Sequence, residues 1–143
     1  MIYLDSGATT LEKPPAVARA MAQAVGEMSS PGRGNYPASQ KAARTAYDCR
    51  EAAAELFHVP APEQVIFTCN ATHGLNIAIR TLVRPGCRVA VSGYEHNAVT
   101  RVLHSIPGVE IMVADAPLFR PEQRLEGFRT ALRWGVDAVV CNH

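Results

Sequence analysis

The spacing of apolar residues changes character along this chain. Val17, Ala18, Met21, Ala22, Val25 and Met28 recur at helical intervals, and Pro14-Pro15 marks where that helix opens. Residues 29–37, Ser-Ser-Pro-Gly-Arg-Gly-Asn-Tyr-Pro, are a run of turn formers that cannot continue it. A second helix is expected from near Ser39 to about Phe57, where Ala42, Ala46, Cys49, Ala53 and Leu56 form a broad stripe of mostly small residues. Beyond Pro60 and Pro62 the rhythm becomes regular. Val65-Ile66-Phe67-Thr68 is a β-branched, apolar run that fits a buried strand, and Leu75, Ala78, Ile79 and Leu82 restore a helical period over 72–82. Residues 88–92, 109–113 and 136–141 read as further strands, with helices over 97–105 and 121–134 between them. Pro85-Gly86 and Pro107-Gly108 supply the turns.

Alternating strands and helices with short links predict an α/β fold: right-handed crossovers, a mostly parallel sheet, and helices on both faces. In such sheets ligands sit beyond the carboxyl ends of the strands, here 69–73, 93–97 and 142–143. The first of these is the most suggestive. A strand that turns straight into a helix leaves the first amides of that helix without partners, and the helix dipole makes the spot attractive to a phosphate or carboxylate. Asn70 and Thr72 are both suited to cap it. An ordinary strand–helix junction capped by Asn70 fits the same residues, since no Gly-rich phosphate fingerprint accompanies them. Arg33, between two glycines, is open to an anion or simply to solvent.

Composition narrows the class. The chain has 143 residues, 48% of them hydrophobic and 19% charged, the profile of about one globular domain. A net charge of +1 gives no general surface for nucleic acid or an anionic membrane. No apolar run approaches the ~20 residues of a membrane span, and the N-terminus lacks the features of a secretory signal, so a cytoplasmic location is expected. Cys49, Cys69, Cys87 and Cys141 form no Cys-x-x-Cys pair, which argues against a zinc ribbon and for reduced, mostly buried thiols. Cys69 stands apart, because a thiol beside a helix N-terminus is the kind whose pKa is lowered.

Tyr-Leu-Asp-Ser-Gly-Ala-Thr-Thr (3–10), Ser-Pro-Gly-Arg-Gly (30–34), Phe-Thr-Cys-Asn-Ala-Thr-His-Gly-Leu-Asn-Ile-Ala (67–78), Glu-His-Asn-Ala-Val (95–99) and Val-Val-Cys-Asn-His (139–143), in that order along the chain, resemble stretches of cysteine desulfurases and selenocysteine lyases. Residues 3–10 are similar to their opening Tyr-Leu-Asp-x-Ala-Ala-Thr, and residues 30–34 to their Asn-Pro-Gly-Arg loop. Residues 67–78 resemble Phe-Thr-x-x-Ala-Thr-Glu-x-x-Asn-Leu-Ala, and residues 95–99 resemble Glu-His-Asn-Ser-Val. Residues 139–143 resemble a strand that runs on into a cofactor-binding Asn segment.

The resemblance implies part of the large domain of a class V aminotransferase, with an arm over 1–13 and an incomplete domain over 14–143 that binds pyridoxal 5′-phosphate. It implies that Ala71 and Thr72 bind the cofactor phosphate. It places His96 against the pyridine ring, where it stacks and handles protons. His73 replaces the usual Glu beside the phosphate, and a partly protonated imidazole there would add to anion binding. The family also implies an amino-acid substrate, a homodimer and a sulfur-acceptor protein. The reaction would be that of a cysteine desulfurase, with selenocysteine lyase or another class V enzyme as the alternative. Its cofactor-binding lysine has no counterpart in Lys13 or Lys41 and is expected beyond residue 143, so the chain reads as an N-terminal portion, interrupted after a strand. On its own such a chain is expected to be inactive, serving at most as a phosphate-binding module or behaving as a fragment unable to fold.

Overall fold

The computed structural model describes residues 2–142, which form two compact units, one ending at Ile66 and the other beginning at Phe67. In the first unit, helix α1 (Pro15–Glu27) and helix α2 (Pro37–Phe57) both open on a proline in the first turn, where its missing N–H costs nothing. The turn-rich loop between them is pinned at its far end by Ser39. That hydroxyl is buried and donates to the Ser30 carbonyl at 3.0 Å, while the Ser29 amide donates to the Ala38 carbonyl. Lys41 pairs with Glu27 across the same loop. The N-terminal turn is closed by the Tyr3 hydroxyl, which donates to the Thr9 carbonyl at 2.6 Å.

The apolar stripes of these helices do not lie where the periodicity alone suggests. No residue of α1 is buried, and in α2 only Ser39 and Ala54 are. Val25, Leu56 and Phe57 are largely exposed. A helical period reveals which side of a helix is apolar, but burial requires another element to lie against that side.

The second unit is the α/β body. Helix α3 (Ala71–Leu82), strand β1 (Arg88–Ser92), helix α4 (Asn97–His104), strand β2 (Glu110–Ala114), helix α5 (Pro121–Trp134) and strand β3 (Ala138–Val140) follow in order. The strands form one parallel sheet in the order β2-β1-β3, with β1 in the centre. Period-2 alternation sends Val89, Val91, Ile111, Ala138 and Val140 to one face, where they meet Ile79 and Val83 from the end of α3 and Val99, Val102 and Leu103 from α4. Val89 and Leu103 are wholly excluded from solvent. The other face carries Ala90, Met112 and Ala114 and is covered by α5. Gly127 allows that contact: a Cβ there would lie 3.1 Å from the Cβ of Ala114 and 3.2 Å from its Cα. Helices therefore cover both faces of a parallel sheet, as the alternation of elements predicts.

At the amino edge the strands are stitched by Arg88 and Asp137. The Arg88 amide donates to the Asp137 carboxylate and the Asp137 amide to the Arg88 carbonyl, both at 2.8 Å. The Arg88 guanidinium lies over the Trp134 ring, 4.9 Å from its centroid.

One expected strand is absent. Residues 65–68 have extended backbone at Val65 but belong to no strand of the described sheet, and Ile66 and Phe67 are exposed. A β-branched run favours extension, yet a strand exists only when a neighbour accepts its hydrogen bonds. Three strands are therefore described where the sequence suggests four. No helix among the described residues is long and apolar enough to cross a membrane.

Candidate functional site

The junction into α3 is built by Asn70. Its backbone is fully extended, its Oδ1 accepts the His73 amide at 2.8 Å, and its carbonyl accepts the Gly74 amide at 3.1 Å. The Thr68 hydroxyl donates to that same carbonyl at 2.9 Å, which fixes the approach to the helix. This is a side-chain N-cap, and it decides which amides stay open. His73 is taken. The Ala71 and Thr72 amides lie in the first turn, where a helix offers no internal acceptor, and they have none among the described residues. The Thr72 hydroxyl is likewise uncommitted among them.

The side chain of His73 folds back on the chain. Its Nδ1 lies 3.5 Å from the Cys69 amide, at the long limit of a hydrogen bond, and serves there as an acceptor. His73 therefore contributes neither an open amide nor a free Nδ1 to an anion. Cys69 is exposed, as are Cys49 and Cys141, and Cys87 is half-buried; the sequence pattern had favoured burial for most of them.

The second segment follows β1. His96 is the N-cap of α4, its Nδ1 accepting the Ala98 amide at 3.1 Å. That bond settles the orientation of the ring and leaves Nε2 as the nitrogen available to a ligand. The turn before it is tight. A Cβ on Gly93 would meet the Asp115 carboxyl group, which can turn aside, while the Asp115 Cα would lie at an ordinary contact distance of 3.6 Å. Tyr94 ties the same two loops by donating its hydroxyl to the Ala116 carbonyl at 2.7 Å, with the Arg124 guanidinium 4.9 Å from its ring centroid.

α3 and α4 lie side by side and enclose an open groove of about 330 Å³. Thr72 and His96 line one end, at the start of both helices, while Arg80 and Ser105 line the other. The two helices thus run in the same direction, with both positive dipole ends at the carboxyl edge of the sheet. Arg80 donates to the Ser105 hydroxyl at 2.8 Å, Arg101 adds a second cation, and no acidic residue among the described ones lines the groove. At the start of the two helices the Thr72 amide and hydroxyl and the His96 ring suit an anionic group such as a phosphate ester, with Arg101 on the same wall and Arg80 at the far end.

The structure therefore brings Thr72 and His96 together. Ala71 and His73 share the first turn of α3 with Thr72 but lie outside the groove wall. Asn142 joins the same edge through its amide, which donates to the Glu95 carboxylate at 2.7 Å; His143, the other residue expected there, lies outside the described residues. Glu95 is the site residue that sequence reasoning passed over. Its signal was present, an acidic group directly before His96 in the Glu-His-Asn-Ala-Val stretch, but its partner is 47 positions away. Among the described residues no group of three or more His, Cys, Asp or Glu side chains is arranged to hold a metal ion.

The chain is similar to known proteins of one family. A family model described as aminotransferase class-V matches residues 2–137. A probable cysteine desulfurase from Pseudomonas aeruginosa is 32% identical over 102 residues, which are 68% of this chain and 25% of that protein. The match thus spans about a quarter of the relative's length.

Proposed function

The chain belongs to the class-V aminotransferase family, and on that premise we propose that it carries the phosphate side of a pyridoxal 5′-phosphate site in a cysteine desulfurase-like enzyme. One observation carries the reading: the open first turn of α3, at Thr72, and the N-cap of α4, at His96, share one cationic groove. The Ala71 and Thr72 amides with the Thr72 hydroxyl would hold the cofactor phosphate. His96, fixed through Nδ1, would offer Nε2 for stacking and proton transfer. The bound cofactor would supply an electron sink that lets an amino acid lose its α-proton.

For the whole enzyme this reading implies conversion of L-cysteine to L-alanine with sulfur passed to an enzyme cysteine. A homodimer, a sulfur-acceptor protein and a cytoplasmic location belong to the same proposal. Lys13 donates to the Thr10 carbonyl at 2.7 Å and Lys41 is paired with Glu27, so neither is offered as the residue that binds the cofactor covalently.

Titration of the chain with pyridoxal 5′-phosphate and with pyridoxal tests the reading. The phosphate form should bind at least about tenfold more tightly, the worth of one charge-assisted hydrogen bond, and inorganic phosphate should compete. Thr72→Val should narrow the gap. Equal affinity for the two forms would sink the proposal. The 143-residue chain by itself should release alanine from cysteine no faster than free cofactor does, and borohydride should leave no pyridoxyl group on a specific lysine.

A further inference from the structure

Glu95 sits between β1 and α4, and one of its oxygens does two things. Oε1 accepts the Ser92 hydroxyl at 2.5 Å and the Asn142 amide at 2.7 Å. Ser92, the last residue of β1, is almost completely buried, and its Oγ also accepts the Tyr94 amide at 3.3 Å. The result is a short relay: Tyr94 amide to Ser92 hydroxyl, Ser92 hydroxyl to Glu95 carboxylate, and the Asn142 amide onto the same carboxylate oxygen. It closes the turn over 92–95, so that His96 emerges in one place, where its Nδ1 can cap α4. It also anchors the backbone just after β3. The amino edge of these two strands is held by Arg88 and Asp137; at the carboxyl edge the corresponding bond between them comes from Glu95.

We infer that Glu95 is a positioning residue, whose single shared oxygen ties the end of β1 to Asn142 and so holds His96 and the segment after β3 at one cofactor-facing edge. The inference rests on the cofactor-site reading above. Its mechanical part is independent of the cofactor and can be measured without it. Both donors use one oxygen, so the role needs an acceptor at that point more than it needs a negative charge. Glu95→Gln can retain the acceptor, whereas Glu95→Ala removes it and leaves the buried Ser92 hydroxyl without it.

Amide hydrogen exchange on the full chain without cofactor is the first measurement. Asn142 exchange should speed up by about tenfold in Glu95→Ala, as loss of one hydrogen bond implies, and should stay near wild type in Glu95→Gln. Ser92→Ala should leave Asn142 protected, because its bond to Glu95 remains. Protection at the buried Leu103 amide serves as the folding control, and should Glu95→Ala not fold, the Glu95→Gln and Ser92→Ala results still decide. Unchanged Asn142 exchange in folded Glu95→Ala, or complete loss of its protection in Glu95→Gln, overturns the clamp.

Pyridoxal 5′-phosphate titration is the second measurement. Affinity should fall by roughly tenfold in Glu95→Ala and by no more than about threefold in Glu95→Gln. If Asn142 is released while Glu95→Ala binds the cofactor like wild type, the positioning role is refuted. If wild type itself does not bind the cofactor, the cofactor-site reading fails and the positioning role fails with it, while the exchange data still stand as evidence for the clamp.

Discussion

Replacing Gly127 by alanine sets two effects of known size against each other. Alanine in a helix interior is better than glycine by about 1 kcal/mol. Against this, the new Cβ would sit 3.1 Å from the Cβ of Ala114 and 3.2 Å from its Cα, whereas carbon atoms in good contact lie about 3.5–4.0 Å apart. Ala114 closes β2, which is paired to the central strand, so its backbone cannot easily yield. Ala131, wholly buried one turn further along α5, holds the helix down on the same face. The helix must therefore lift by a few tenths of an ångström, and overpacking of this kind costs about 1–3 kcal/mol. The net expectation is a loss of about 1 kcal/mol. The single tryptophan, Trp134, is the last residue of α5, which makes its fluorescence a local reporter. With a urea m-value of about 1–3 kcal/mol/M, the Trp134 transition should move down by roughly 0.3–1 M. A Gly127→Ala midpoint equal to or above wild type, with m unchanged, would show that α5 is not held against β2 as described.

Other outcomes follow from the same physics. Leu103→Ala empties a fully buried position between α3, α4 and the sheet and should cost about 2–5 kcal/mol, read as a large downward shift of the same urea midpoint. Asn70→Ala removes the acceptor of the His73 amide and should destabilise the start of α3 by about 1 kcal/mol, seen as faster exchange at His73 and Gly74 with Leu103 unaffected. Glu126 is held below the ordinary carboxylate value by hydrogen bonds from Arg133 and then Arg129, at 2.9 and 3.4 Å. A depressed pKa means that its stabilising contribution is present at neutral pH and lost as pH falls through the lowered folded value. An NMR titration should therefore show Glu126 titrating at higher pH in Arg133→Ala than in wild type; an unchanged midpoint would remove the pair from consideration.

Much of the second unit is legible in the sequence because its signals are local. The period of Leu75, Ala78, Ile79 and Leu82 foretells α3, the β-branched run around Val89 foretells β1, and the Pro-Gly pairs mark their turns. The site is legible in part. Asn70 is recognisable as a cap from its type and place, but not that it would take the His73 amide and so leave Ala71 and Thr72 open. His96 can be singled out by resemblance, and a capping or surface role is the plainer reading of a lone histidine in Glu-His-Asn; the structure supplies the bond itself, Nδ1 accepting the Ala98 amide.

What the sequence determined by itself, then, is the set of elements in the second unit, their alternation, and the small polar residues at the ends of β1 and before α3. These depend on side-chain shape and backbone preference over a few neighbouring residues. Pairing and burial are different, because they depend on groups far apart in the chain. Residues 65–68 favour extension yet belong to no strand of the described sheet, since strand pairing depends on more than local preference. The apolar side of α1 is equally plain in the sequence and equally exposed in the structure. Glu95 shows the same limit at the site: only the parallel register of β1 and β3 brings the Asn142 amide to its carboxylate and makes two separate loops one edge.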